Sequence, residues 1–145
     1  MTFREITLDD IDAIFHVRIS TDENNFTIEE LLRHGITKQS VIEKLKSTYK
    51  GWLSETKEKV TGFVMAEKVT GEIWVIAVLP EYINQKIGSR LLQLAETWLT
   101  ENKLKRFWLT TDADKKLRAY SFYKKHGWNE YKQLNDILYM EKIIA

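Results

Sequence analysis

The stretch with the clearest chemistry lies between an apolar run and a helix: Val78-Leu-Pro80-Glu-Tyr82-Ile83-Asn84-Gln85-Lys86-Ile87-Gly88-Ser89. Ile73 to Val78 are six apolar residues in a row, the pattern of a strand buried on both faces. Pro80 ends the run. From Ile87 onward, Leu91, Leu94, Ala95 and Trp98 recur at spacings of three and four, which places them on one side of a helix. The first N–H groups of such a helix have no acceptor within it and point into the loop at the positive end of the helix dipole. That is the chemistry of a phosphate cradle. Strand-loop-helix junctions are common, and most of them bind nothing.

The composition limits what else the chain can do. Its 145 residues fit a single domain over 1–145, large enough for one substantial core. Hydrophobic content of 43% and charged content of 30% are ordinary for a soluble globular protein. Without cysteine there can be no disulfide, thiolate nucleophile or cysteine metal site, and the lack fits a cytoplasmic address. A net charge of +1 gives no reason to expect nucleic acid or an anionic membrane as partner. The first ten residues, MTFREITLDD, are too charged for a signal peptide, and no apolar run approaches the length of a membrane span.

The elements that position the junction follow from periodicity and turn chemistry. Alternation over Thr2 to Thr7 predicts a short strand. Thr7 with Asp10 opens a helix whose spaced positions are Leu8, Ile11, Ile14, Phe15, Arg18 and Ile19. Thr27 with Glu30 opens a second helix, Ile28 to His34, closed by Gly35. A third runs from Lys38 to Leu45. Tyr49 to Ser54 and Val60 to Lys68 read as a hairpin, and Val69-Thr-Gly71 turns into the central strand, giving a meander of three antiparallel strands. After the helix from Ile87 to Glu101 come a strand over Arg106 to Thr111 and a helix from Lys115 to His126, capped by Asp112-Ala-Asp114 and stopped by Gly127. Strands Trp128 to Lys132 and Ile137 to Ile143 end the chain. The order predicts a mixed, mostly antiparallel α/β sheet of about seven strands with helices on both faces. Strands joined through the Ile87 helix are expected to be parallel.

This order resembles that of the GNAT superfamily of N-acetyltransferases, and three motifs carry the resemblance over nearly the whole chain. Val78-Leu-Pro80-Glu-Tyr82 with Ile87-Gly88-Ser-Arg-Leu91-Leu92 is similar to the superfamily's acetyl-CoA pyrophosphate loop. Ala119-Tyr-Ser-Phe122-Tyr123-Lys-Lys125-His-Gly127-Trp128 resembles its second signature, and Thr7-Leu-Asp9-Asp10-Ile11 its first strand-to-helix junction. The family loop usually reads Arg or Gln, two variable residues, Gly, one variable residue, then Gly or Ala. Ile83 here holds the Arg/Gln place and Lys86 the first Gly place; only Gly88 matches. Lys86 lacks glycine's conformational freedom but brings a cation beside a dianionic diphosphate.

The resemblance implies an acyltransferase that moves acetyl from acetyl-CoA, its cosubstrate, to a primary amine of a small molecule or peptide by direct attack, with no metal. The alternative is a non-catalytic acetyl-CoA-binding or regulatory module with a degenerate loop. Asn84, Gln85, Lys86, Ile87, Gly88 and Ser89 would hold the diphosphate, and the backbones of Ile76 and Val78 would pair with the pantetheine arm where the central strand splays from its neighbour. Tyr123 would be the general acid for the departing thiolate; the other reading is a core aromatic on a helical face. Glu72, six residues before Val78, would deprotonate the amine; the other reading is a solvated turn. His16 is a second candidate base, though a lone histidine among apolar neighbours is more often structural. Phe26, Trp52, Phe63 and Trp74 could wall the acceptor pocket or belong to the core. Two basic clusters, Lys103, Lys105 and Arg106, and Lys115, Lys116, Arg118, Lys124 and Lys125, could meet a 3′-phosphate or nucleic acid or form a solvated face, the stronger reading at this balanced charge. The acceptor and the oligomeric state, a homodimer included, stay open.

Overall fold

The computed structural model describes residues 1–21 and 28–144. Seven strands, β1 (Thr2–Glu5), β2 (Tyr49–Glu55), β3 (Val60–Glu67), β4 (Glu72–Val78), β5 (Arg106–Asp112), β6 (Asn129–Leu134) and β7 (Ile137–Ile143), form one sheet in the order β1-β2-β3-β4-β5-β7-β6. Only β4 and β5 run parallel. The helices are α1 (Ile11–Ile19), α2 (Ile28–Arg33), α3 (Lys38–Leu45), α4 (Ile87–Glu101) and α5 (Arg118–Lys125). The mixed, mostly antiparallel sheet expected from the sequence is thus the one observed.

Each face of the sheet has its own core. On one, Ile11, Ile14 and Val17 of α1 and Val41 of α3 pack on Leu53, Phe63, Met65, Val75 and Ala77. On the other, Leu91, Leu92, Ala95 and Leu99 of α4 pack on Val64, Ala66, Ile73, Phe107 and Leu109, with Tyr123 of α5 and Trp128 alongside. Of the α4 stripe, Leu91, Leu92, Ala95 and Leu99 are buried, while Leu94 and Trp98 of the set spaced by three and four in the sequence are only partly so, at its edge. Truncating one of its leucines to alanine would cost about 2–5 kcal/mol.

The central strand departs from its expected burial. Ile73, Val75 and Ala77 are buried, but Trp74, Ile76 and Val78 are only partly so. Met65 pairs with Val75 and Ala66 with Ile73, which leaves Trp74 without a partner as a β-bulge. The bulge turns Trp74 to the α1 face with Val75 and Ala77, while Ile76 and Val78 lean on the α4 face. An unbroken apolar run conceals such a bulge.

Several element ends also differ from the periodic reading, among them the start of the first helix, where a 3₁₀ turn over Leu8–Asp10 precedes α1, and three show their physical cause. α5 starts at Arg118 rather than Lys115, because Asp112 Oδ1 accepts the Asp114 N–H at 2.8 Å and Asp114 Oδ1 the Lys116 N–H at 3.0 Å. These side-chain bonds satisfy the backbone in a turn and displace the first helical turn. β6 begins at Asn129, since Trp128 is withdrawn completely into the core. β1 stops at Glu5, and the Thr7 N–H donates instead to Asp10 Oδ2 at 2.7 Å. Thr27, expected to cap α2, lies outside the described residues.

Asp10 also joins that junction to the sheet. Arg4 Nη1 and Nη2 each donate to the Asp10 carboxylate at 2.9 Å, and Arg4 Nε donates to Glu55 Oε1 on β2 at 3.0 Å. The Arg4 guanidinium lowers the Asp10 carboxyl from 3.8 to about 2, against the opposing effect of burial. Because the folded value lies below the unfolded one, the stabilisation is complete above the unfolded value and fades as pH falls through the folded one. Arg4 is 38% exposed, so solvent screens part of the effect. Asp10→Asn is expected to lower stability by about 1–2 kcal/mol at neutral pH, with the gap narrowing as pH falls from 3.8 toward 2. Urea denaturation at both ends of that window checks it.

Candidate active site

β4 and β5 meet at a single register position, Glu72 opposite Trp108, where the Trp108 N–H donates to Gly71 O at 3.1 Å. Beyond it no ladder joins them among the described residues. β4 stays on β3 as far as Leu79, whose N–H donates to Thr61 O at 2.8 Å. The β5-facing side of Trp74 to Val78 therefore borders a slot that runs to the turn before α4.

That turn is built on left-handed residues. After a short 3₁₀ segment, Pro80–Tyr82, Asn84 has φ 69° and Lys86 φ 63°, and both are exposed. Lys86 so takes the conformation that favours glycine, at a cost of about 1–2 kcal/mol. The first α4 bond runs from the Arg90 N–H to Lys86 O at 3.1 Å, so the N–H groups of Ile87, Gly88 and Ser89 have no acceptor inside the helix. A Cβ at Gly88 would stand 3.4 Å from the Phe122 ring, which is how α5 reaches the start of α4. Four residues after Phe122, His126 Nε2 lies 2.9 Å from Ser89 Oγ.

Tyr123 stands beside the slot. Its ring packs on Phe122 at 5.3 Å and Trp128 at 5.9 Å, and its hydroxyl has no hydrogen-bond partner among the described residues. Burial pushes the phenol well above its ordinary value, and the Arg18 charge opposes this. Arg18 belongs to α1, the helix of the opposite face of the sheet. Arg18 is itself lowered by burial, with Tyr123 opposing.

Glu72 sits at the closed end of the slot, half-buried, opposite Glu67 of β3. Burial and then the Glu67 carboxylate push its carboxyl up, while Lys44 opposes them. Lys44 Nζ lies 4.8 Å from the Tyr49 ring and 5.2 Å from that of Trp74, so Glu72, Tyr49, Trp74 and Lys44 form a polar-aromatic wall on the α1 face.

Other candidates fall elsewhere. Trp52 and Phe63 are core residues, 8% and 3% exposed, with Trp52 edge-on to Trp98 of α4 at 5.7 Å. Phe26 lies outside the described residues. His16 is exposed on α1, close enough to Glu81 for its charge to act there. Arg106 pairs with Glu141 and Lys115 with Glu130, which agrees with a solvated face. Clefts of about 590 and 310 Å³ share Glu5, Lys50 and Trp98 along the β1–β2 edge, and neither includes Tyr123, Glu72 or the turn.

A sequence profile of the Acetyltransferase (GNAT) family matches residues 12–128, from α1 through the turn to Trp128. The chain belongs to the GNAT acetyltransferase family. This GNAT chain shares its fold with PaiA N-acetyltransferase from Thermoplasma acidophilum, solved in complex with coenzyme A, at 18% identity and TM-score 0.85 over 99% of both chains. The ribosomal-protein-S18-alanine N-acetyltransferase of Escherichia coli matches at 18% identity and TM-score 0.77, covering 99% of this chain and 94% of that one. Ard1 from Thermoplasma volcanium matches at 18% identity and TM-score 0.75, over 99% and 97%. No curated protein matches the chain in sequence.

Arg18 and His126 are the site residues that spacing alone does not single out. Arg18 carries a signal, a cation among the spaced positions of α1; the link between Ser89 and His126 spans 37 positions and carries none. Lys86→Gly relieves the left-handed strain and is expected to raise stability by about 1 kcal/mol, read as a thermal shift. An unchanged or lowered melting point would show that the turn is not strained at Lys86.

Proposed function

We propose that the chain transfers acetyl from acetyl-CoA to the primary amine of a small molecule or peptide by direct attack. The observation that carries this is the parting of β4 from β5 after their one shared register position, with a buried phenol in the same core as Ile76 and Val78 and with first N–H groups of α4 that have no helical acceptor. These features fit the cosubstrate. Ile87, Gly88 and Ser89 offer backbone donors to a diphosphate, and Lys86 adds a cation. The β5-facing backbone of Ile76 and Val78 is suited to pair with an amide-bearing arm as an added strand would. The PaiA complex with coenzyme A on this fold supports the assignment.

When bound, acetyl-CoA would supply the acetyl group as an activated thioester. The chain's residues then have three tasks. Glu72, its carboxyl raised by burial, takes a proton from the acceptor ammonium, directly or through water, so that a neutral amine attacks. Tyr123, held neutral by burial, keeps a proton for the departing sulfur. Without cysteine the chain has no thiol for a covalent relay, which fits direct attack. Lys86 already adopts the left-handed conformation of the missing glycine, so its presence does not favour the non-catalytic reading.

Tyr123→Phe is expected to slow acetyl transfer at least about tenfold while leaving acetyl-CoA affinity within about twofold, measured by thiol release and calorimetry. Loss of binding without loss of rate would assign the ring to the core alone. Glu72 should lose its basic form as pH falls through its raised pKa, taking the rate with it. Glu72→Gln is expected to lower the rate and flatten that acidic limb of the pH–rate profile; an unchanged limb would remove Glu72 as base.

A further inference from the structure

His126 follows α5 and meets the first turn of α4 at Ser89, and its hydrogen bonds fix its tautomer. Nδ1 is 2.8 Å from the Phe122 carbonyl oxygen, which can only accept, so Nδ1 carries a proton. In the neutral ring Nε2 is then an acceptor, and the Ser89 hydroxyl, 2.9 Å away, donates to it. Ser89 is the third residue of α4, at the end where the N–H groups lack helical acceptors. While His126 is neutral, the one hydroxyl at that end points at an imidazole and not at a ligand.

We propose that His126 is a positioning residue that couples diphosphate binding to the uptake of one proton. The inference rests on the acetyl-CoA reading above. A proton from solvent adds to Nε2, which becomes a donor to Ser89 Oγ. The Ser89 O–H is released from the ring and turns to donate to a phosphate oxygen, and the imidazolium charge stands behind it. No covalent bond other than that N–H changes.

The charged surroundings suit such a linkage. The turn and α4 carry Lys86, Arg90, Glu96 and Glu101, α5 carries Arg118, Lys124 and Lys125, β6 carries Glu130 and Lys132, and β7 carries Glu141 and Lys142. Glu96 is taken by Lys142 at 2.7 Å and Glu130 by Lys115 at 3.1 Å. Glu141 is taken by Arg106 at 2.8 Å, so apart from Glu101 at the far end of α4 the remaining charges are positive, and a bound dianion offsets them and favours the imidazolium. Binding energy and proton uptake are then two readings of one equilibrium.

The test is calorimetry with dephospho-CoA, whose diphosphate diester does not titrate near neutrality; the phosphomonoester of CoA does, near pH 6, and would mask the effect. Titrations run between about pH 5.5 and 8, the range around an ordinary histidine, in two buffers of different ionisation enthalpy. The wild-type chain is expected to take up a fraction of a proton and to bind about tenfold more weakly at the high end of the range. His126→Gln, which keeps a polar partner for Ser89 but cannot titrate, is expected to lose both effects. Binding without proton uptake in the wild type, or uptake that persists in His126→Gln, overturns the linkage. Should His126→Gln not fold, Ser89→Ala decides: affinity lost at the acid end and little changed at the alkaline end supports the relay, and an equal loss at both overturns it. No binding of dephospho-CoA or acetyl-CoA at any pH overturns the cofactor reading itself, and the linkage with it.

Discussion

Strands β4 and β5 share one register position and then separate, and most of the site depends on that separation. A parallel pair so placed would ordinarily continue its ladder, each added rung satisfying buried backbone groups. Here β4 follows β3 to its end instead, held by the Leu79 to Thr61 bond, while the bulge at Trp74 adds local twist. β5 follows β7 along its whole length, from Arg106 opposite Ile143 to Asp112 opposite Ile137. The sheet is thus two antiparallel sub-sheets sharing one rung. The Arg18 charge on one face and the Tyr123 phenol on the other still influence each other across the sheet.

A gap in a sheet has to be supported from outside, and α4 and α5 provide that support. Gly88 allows the Phe122 ring to approach the start of α4, and Ser89 meets His126 one turn further along α5. Deeper in, the Glu96 carboxylate accepts from Trp128 Nε1 at 3.1 Å and from Lys142 Nζ at 2.7 Å. One residue of α4 so fastens the loop after α5 and strand β7. The carboxylate is 15% exposed and met by two donors, so its burial is compensated rather than left as a cost. Trp128 in turn lies against Tyr123, which fixes the phenol at the slot.

Much of this architecture is legible in the residues, because burial imposes a period on them. α4 runs from Ile87 to Glu101 and β7 from Ile137 to Ile143, as their patterns predict. What stays hidden is set by competition or by distance. The delayed start of α5 reflects aspartates that bond the backbone of their own turn, a choice that periodicity does not weigh. The bulge hides in a run where every residue is apolar. At the site, the turn and Tyr123 can be located from local sequence, but Arg18 beside Tyr123 and Ser89 against His126 depend on which elements meet in space. The glycine place filled by Lys86 shows how far a local rule reaches: the left-handed geometry is kept and the residue that favours it is not.

The central claim is that the β4–β5 slot receives the thioester arm with Tyr123 at its reacting end. A crystal structure of the chain with acetyl-CoA tests it most directly. The pantetheine arm is expected to pair along Ile76 to Val78, with the diphosphate against the N–H groups of Ile87 to Ser89 and the sulfur within hydrogen-bond reach of the Tyr123 hydroxyl. Acetyl-CoA bound outside the slot, or a sulfur remote from a Tyr123 that remains sealed in the core, would contradict it.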